Sequence, residues 1–132
     1  YDPLFTAGTF TPEYWISATH DAKVWSNDGT KLSMTAANAY TAGTWQHVAF
    51  TVKGDSAGTG VSSGRLYLNG ELIAKGEVVR GIMERTDGMA YFGVNYWDAV
   101  YQGELDDLAL IKGVLNQAEI KALRDHVLSP AN

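Results

Sequence analysis

Between Asn95 and Gly103 the chain sets Tyr96, Trp97, Asp98, Tyr101 and Gln102 close together. An indole offers a flat apolar face, while a carboxylate, an amide and phenolic hydroxyls beside it offer directional hydrogen bonds. Together they suit a ligand with one apolar face and a polar rim, held in a loop. The competing reading is that Trp97 folds back as a lid over the end of a β-domain. A few residues on stands Asp106-Asp107. If Glu104–Ile111 is a regular strand, neighbouring side chains point to opposite faces, so one acid shares a face with Leu105 and Ala109 and the other with Leu108 and Leu110. At least one carboxylate then meets a sheet interior or its rim. A buried carboxylate requires a cation or several donors, and the plainer outcome is bonding to backbone amides or an arginine.

Other constellations carry less. Gly60-Val61-Ser62-Ser63-Gly64 matches the esterase nucleophile pattern, but that pattern needs a strand before the serine and a helix after it. Here a strand is expected to follow, which makes this a glycine-rich loop. His20, His47 and His126 lie far apart without metal-ligand spacing. Trp15 and Trp25 stand on strand-like runs and are expected in the core, where the strands of one sheet fill one face with bulk. Trp45 and His47 are expected to be structural, as the resemblance given below implies.

The elements that must position these groups are short and strand-like. Pro3–Gly8, Tyr14–Ala18, Lys23–Ser26 and Lys31–Met34 form two hairpin-like pairs, the second turning at Asn27-Asp28-Gly29. Trp45–Lys53 is the longest alternating run and places Val48, Phe50 and Val52 on one face. Asn69-Gly70, between Arg65–Leu68 and Glu71–Ala74, is the strongest hairpin signal in the chain. Ala90–Val94 and Glu104–Ile111 flank the aromatic loop. Asn116–Val127 reads as a helix, with Asn116 and Glu119 at capping-box spacing and Ile120, Leu123 and Val127 as an apolar stripe. About nine short strands and one short C-terminal helix predict an all-β fold: an antiparallel two-sheet sandwich or jelly roll.

Three ordered pieces carry a resemblance: Trp45-Gln46-His47-Val48-Ala49; Arg65 through Gly70; and Gly103-Glu104-Leu105-Asp106-Asp107 running on to Val114 through Ile120. Over about residues 3 to 127 the chain resembles laminin-G-like domains of the concanavalin A-like lectin/glucanase superfamily, in particular bacterial modules attached to secreted carbohydrate-active enzymes. The resemblance implies a jelly roll of two antiparallel sheets and a binding role toward glycans or proteins. It also implies a structural calcium with an acid at the position of Asp106. Glucanases of the superfamily place two glutamates around an aspartate on one strand; this chain has Glu104 and Asp106, but Leu108 stands where the second glutamate is required. Members of the family open with further strands before the position of Leu4-Phe5, so residues 1–132 are expected to form a single domain that is part of a larger protein. An unpaired edge would then be completed by a second copy, giving a homodimer, or by a missing segment.

Composition bounds the rest. The 132 residues suit one domain. The net charge of −5 opposes nucleic acid as a partner, since phosphates select a basic face. No apolar run approaches the roughly 18 residues of a membrane span. With no cysteine there is no disulfide framework. The expectation is therefore a non-catalytic, lectin-like carbohydrate-binding module, secreted or at the cell surface, with Trp97, Asp98, Tyr101, Gln102 and Tyr96 in contact with ligand and calcium at Asp106. The principal alternative is a protein-interaction or structural module that binds no sugar.

Overall fold

A computed structural model describes residues 3–8, 12–17, 20–26, 31–54, 61–79, 89–93 and 99–128. Eight strands and one helix are present among them. β1 (Pro3–Gly8), β2 (Pro12–Ser17), β3 (Ala22–Ser26) and β4 (Lys31–Ala36) follow one another as antiparallel neighbours, and β8 (Met89–Phe92) adds to the free side of β1. The resulting five-stranded sheet runs β4-β3-β2-β1-β8. A second sheet, β5-β6-β7, is built from β5 (Val48–Lys53), β6 (Val61–Leu68) and β7 (Glu71–Val79). All pairings are antiparallel, so the all-β sandwich expected from the turn signals is the fold observed.

The core lies between the sheets. Ile16, Ala22, Val24 and Met34 come from one sheet and Leu66 and Val78 from the other, with Phe5, Val48, Phe50, Val52 and Ala74 packed around them. The expected alternation of β5 holds, because Val48, Phe50 and Val52 all turn to this cluster. Gly64 and Gly76 stand opposite each other in the β6–β7 register. A Cβ on Gly76 would collide with the Ser33 carbonyl oxygen of β4, and one on Gly64 would meet the Met34 methyl and Val78 at 2.9 Å. The two glycines thus open a notch into which β4 presses, and β4 and β7 form the seam where the sheets meet.

Buried Ser17 ends β2 and is satisfied locally. Its hydroxyl donates to the Asp21 carbonyl (2.8 Å) and accepts the Lys23 N–H (3.0 Å), holding the connection into β3. The Asp21 carboxylate accepts the Asn38 N–H at 2.8 Å and faces the His20 ring at 3.0 Å; these bonds, the amide first, hold its pKa below the usual value.

The helix α1 (Gln117–Leu128) begins as its sequence predicts. Asn116 accepts the Glu119 N–H through Oδ1 (2.9 Å), while the Asn116 N–H donates to Glu119 Oε2 (2.8 Å), closing a reciprocal cap. Ile120, only 1% exposed, anchors the helix. Asn69 (φ 51°) and Gly70 (φ 81°) both adopt positive φ, as a two-residue hairpin turn requires.

One expected strand is absent. Glu104–Ile111 joins neither sheet among the described residues, and Asp107 takes a left-handed φ of 52° that breaks the alternation assumed for the run. Both Asp106 and Asp107 are consequently exposed, as are Leu105, Leu108, Leu110 and Ile111. The expectation that one acid reaches a sheet interior fails because the segment has no ladder to orient it. The Asn27-Asp28-Gly29 turn and most of the Gly54–Gly64 loop lie outside the described residues.

Candidate functional site

The aromatic loop leaves β8 and returns at Tyr101, whose N–H donates to the Gly93 carbonyl at 2.9 Å. That bond, with Gly93 at φ 72°, closes the base of the loop. Tyr96, Trp97 and Asp98 lie outside the described residues; Tyr101 and Gln102, at the loop's exit, are within them. Tyr101 is half-buried, its ring folded over Gly103, and Gln102 is exposed. The buried hydroxyl of Tyr40 has no hydrogen-bond partner among the described residues. Burial, and secondarily Tyr101, keep the Tyr40 phenol neutral well above its ordinary range.

Tyr40 leads into a second loop with a feature the sequence did not signal. The Gln46 side chain accepts the Thr41 N–H (3.2 Å) and donates to the Thr41 carbonyl (3.1 Å), and the Thr44 hydroxyl donates to the same carbonyl (3.0 Å). Trp45, between these bracing residues, is 57% exposed. The resemblance implies a structural role for it, and it heads the alternating run Trp45–Lys53. The ladder begins only at Val48, so the alternation does not extend to Trp45. Trp25 is half-buried; in register it stands opposite Trp15, on the side of the five-stranded sheet away from buried Val24. The expected core placement of Trp25 is thus replaced by a place on the sheet's outer face.

At Asp106, Oδ1 accepts the N–H of Asp107 at 2.8 Å. Among the described residues no three His, Cys, Asp or Glu side chains gather as metal ligands. Calcium takes six to eight oxygens, and Asp106 with its described surroundings does not supply that set. Ser62 of the esterase-like pattern is buried within β6 rather than raised on a turn between strand and helix, so it is not an exposed nucleophile.

The residues of the three motif pieces meet at another place. The Asn69 side chain accepts the His47 N–H (2.9 Å), and the Asn69 N–H donates to the His47 carbonyl (2.8 Å). From α1, Arg124 donates to the Asn69 carbonyl (2.7 Å) and Gln117 to the Gly70 carbonyl (3.1 Å), while Lys121 pairs with Glu71 (2.9 Å). A Cβ on Gly70 would sit 2.7 Å from Lys121 Cγ, so a glycine is needed under the helix for packing as well as for its φ. His47 Nδ1 is buried without a hydrogen-bond partner among the described residues, and burial, then the Arg124 charge, hold its pKa below 6.5. This cluster fixes α1 to the β6–β7 turn and to the start of β5.

A two-sheet antiparallel sandwich that leaves Trp45 exposed on a braced loop has the form of a binding module. The model of a family described as the concanavalin A-like lectin/glucanases superfamily matches residues 4–121, and the chain belongs to that superfamily, in its laminin-G-like branch. No curated protein and no solved structure matches the chain. No helix among the described residues is long and apolar enough to cross a membrane.

Proposed function

We propose that the protein is a non-catalytic carbohydrate-binding module, secreted or displayed at a cell surface, that holds a glycan through the loop from Tyr96 to Gln102. The observation that supports this is the closure of the loop base by the bond between Tyr101 N–H and the Gly93 carbonyl. In sequence, Tyr96, Trp97 and Asp98 fall between the two residues that close this base, and the exposed Gln102 follows directly after it. A pyranose presents C–H groups to an indole and hydroxyls to amides and carboxylates, which is the pairing this loop carries. Membership of a superfamily of lectins and glucanases fits the same ligand class. A catalytic reading has weaker support, because Leu108 occupies the place of the second glutamate. The experiment is a titration of intrinsic tryptophan fluorescence with a panel of soluble polysaccharides. Saturable change with at least one supports the reading, and a flat response to all of them overturns it. The proposal includes a structural calcium with Asp106 as one ligand.

A further inference from the structure

Helix α1 is tied to the sandwich through the β6–β7 turn rather than through the core between the sheets. Ile120 is 1% exposed, yet it is not part of the cluster that Ile16, Val24, Met34, Leu66 and Val78 form. The polar links described between α1 and the sheets end on the turn: Arg124 on the Asn69 carbonyl, Gln117 on the Gly70 carbonyl and on Glu71 (3.2 Å), and Lys121 on Glu71. An element held by so few buried contacts can open while the rest of a fold stays closed.

His47 sits where this docking can be tuned. Its N–H and its carbonyl are both bonded to Asn69, so the ring is carried at the same turn that receives Arg124. Ring Nδ1 is buried and has no hydrogen-bond partner among the described residues. The charges nearby leave a proton there without an acceptor. Arg124 and Lys121 of α1 are positive; Glu71 is engaged by Lys121 and Gln117, and Asp125 by Arg124 at 2.6 Å. Of the other ionisable groups on α1, Glu119 is taken up by the cap with Asn116, and His126 is exposed in the last turn.

We infer that α1 is a proton-sensitive latch: protonation of His47 frees the helix from the β6–β7 turn while the two sheets remain folded. A proton on Nδ1 makes a buried N–H with no acceptor and sets a second positive charge near Arg124. Both penalties are relieved when the helix lifts, because water reaches the ring and Arg124 departs. The docked ring therefore resists a proton that the lifted one accepts, which is the sense in which burial first, and Arg124 second, move its pKa. Opening is at its floor above pH 6.5, grows as the pH falls below that value, and levels off once the docked ring is protonated as well. Protonation of His126 acts the other way, since a cation in the last turn favours the helix. A helix of 12 residues is marginal in water by itself, so α1 loses its backbone bonds once lifted. The inference does not depend on the glycan reading.

The test is amide hydrogen exchange of the 132-residue chain near pH 7.5 and near pH 5.5, with each rate divided by the intrinsic rate at that pH. In the wild type the opening constant of the α1 amides should exceed that of the β6 amides at both pH values and should rise several-fold on acidification. His47→Gln should remove the rise, whatever its effect on overall stability. Arg124→Gln keeps a donor for the Asn69 carbonyl and drops the charge, so it should reduce the rise. Glu71→Gln and His126→Gln should leave it in place. Three results overturn the inference: an α1 opening constant that is the same at both pH values, one that equals that of β6, or one that rises as much in His47→Gln as in the wild type.

Discussion

Asn69 holds the main chain at His47 from two sides: its own N–H donates to the His47 carbonyl, and its side-chain oxygen accepts the His47 N–H. Because Asn69 also sits at a positive φ and offers its carbonyl to Arg124, one residue serves the hairpin turn, the start of β5 and the helix. These roles separate by substitution. Asn69→Gly keeps the φ and loses only the acceptor, stranding the part-buried His47 N–H, so it should cost about 1 to 2 kcal/mol. Asn69→Ala loses the acceptor and adds the left-handed penalty, roughly 1 kcal/mol further. Urea unfolding of both variants gives the order directly: equal losses would mean that the turn φ carries no cost here.

Beneath Arg124, His47 is kept neutral, and its folded pKa lies below the 6.5 of the free side chain. Above pH 6.5 the imidazole is neutral folded or unfolded, so its full contribution is present. As the pH falls below 6.5 the unfolded chain takes up a proton that the folded chain resists, and stability declines until the folded pKa is passed. Lys121 and Arg124 add positive charge at this corner, and Glu71, paired with Lys121, has its pKa lowered. Glu71 and Asp21 act in a lower window: each contributes stability that is lost only as the pH falls below its ordinary carboxylate value toward the depressed folded one. Melting temperature should therefore fall with acidification from just below pH 6.5, and His47→Gln should flatten that first decline while leaving the one below about 4.5 in place.

Gly76 is set by the neighbour across the seam. A methyl group there would meet the Ser33 carbonyl, a backbone atom that cannot swing aside. Gly76→Ala should force β4 and β7 apart and lower stability by about 2 kcal/mol or more. Denaturant unfolding measures this, and a neutral substitution would show that the sheets do not meet along that line.

The fold was legible wherever local chemistry alone determined the outcome. The Asn69-Gly70 turn, the cap between Asn116 and Glu119 and the alternation of Val48, Phe50 and Val52 each follow from a few adjacent residues. Glu104–Ile111 misled because its composition is that of a strand, while strand formation needs a partner that no local pattern supplies. The same limit applies to Trp45: alternation says nothing about where the ladder starts. For the candidate site the composition of the loop could be read, whereas the closure at Gly93 and the burial of Tyr40 depend on contacts distant in sequence.

Calcium at Asp106 is checked by stability. An ion bound only by the folded state raises the melting temperature as its concentration exceeds the dissociation constant. Chelation of a calcium-loaded sample should lower the midpoint, and Asp106→Ala should remove the difference. Identical melting with calcium and with chelator would leave Asp106 to its bond with the Asp107 amide.

The glycan reading turns on which indole meets the sugar. In sequence Trp97 neighbours the acid, amide and phenol groups that a hydroxyl-rich ligand needs, while Trp45 stands exposed on the braced loop that follows Tyr40. One stacked ring is worth roughly 1 to 2 kcal/mol, so losing it should weaken binding about tenfold. Trp97→Ala should bring that loss with the melting temperature unchanged. Gln102→Ala, which removes an exposed amide from the same loop, should weaken binding by a smaller factor. Trp45→Ala should leave affinity within about twofold if the ligand is confined to the Trp97 loop; a loss equal to that of Trp97→Ala would extend the site across both loops. Affinity electrophoresis in polysaccharide gels, run beside thermal melts of each variant, separates these outcomes. Destabilisation by Trp97→Ala with retention on the gel unchanged would make that indole a packing residue and remove it from the site.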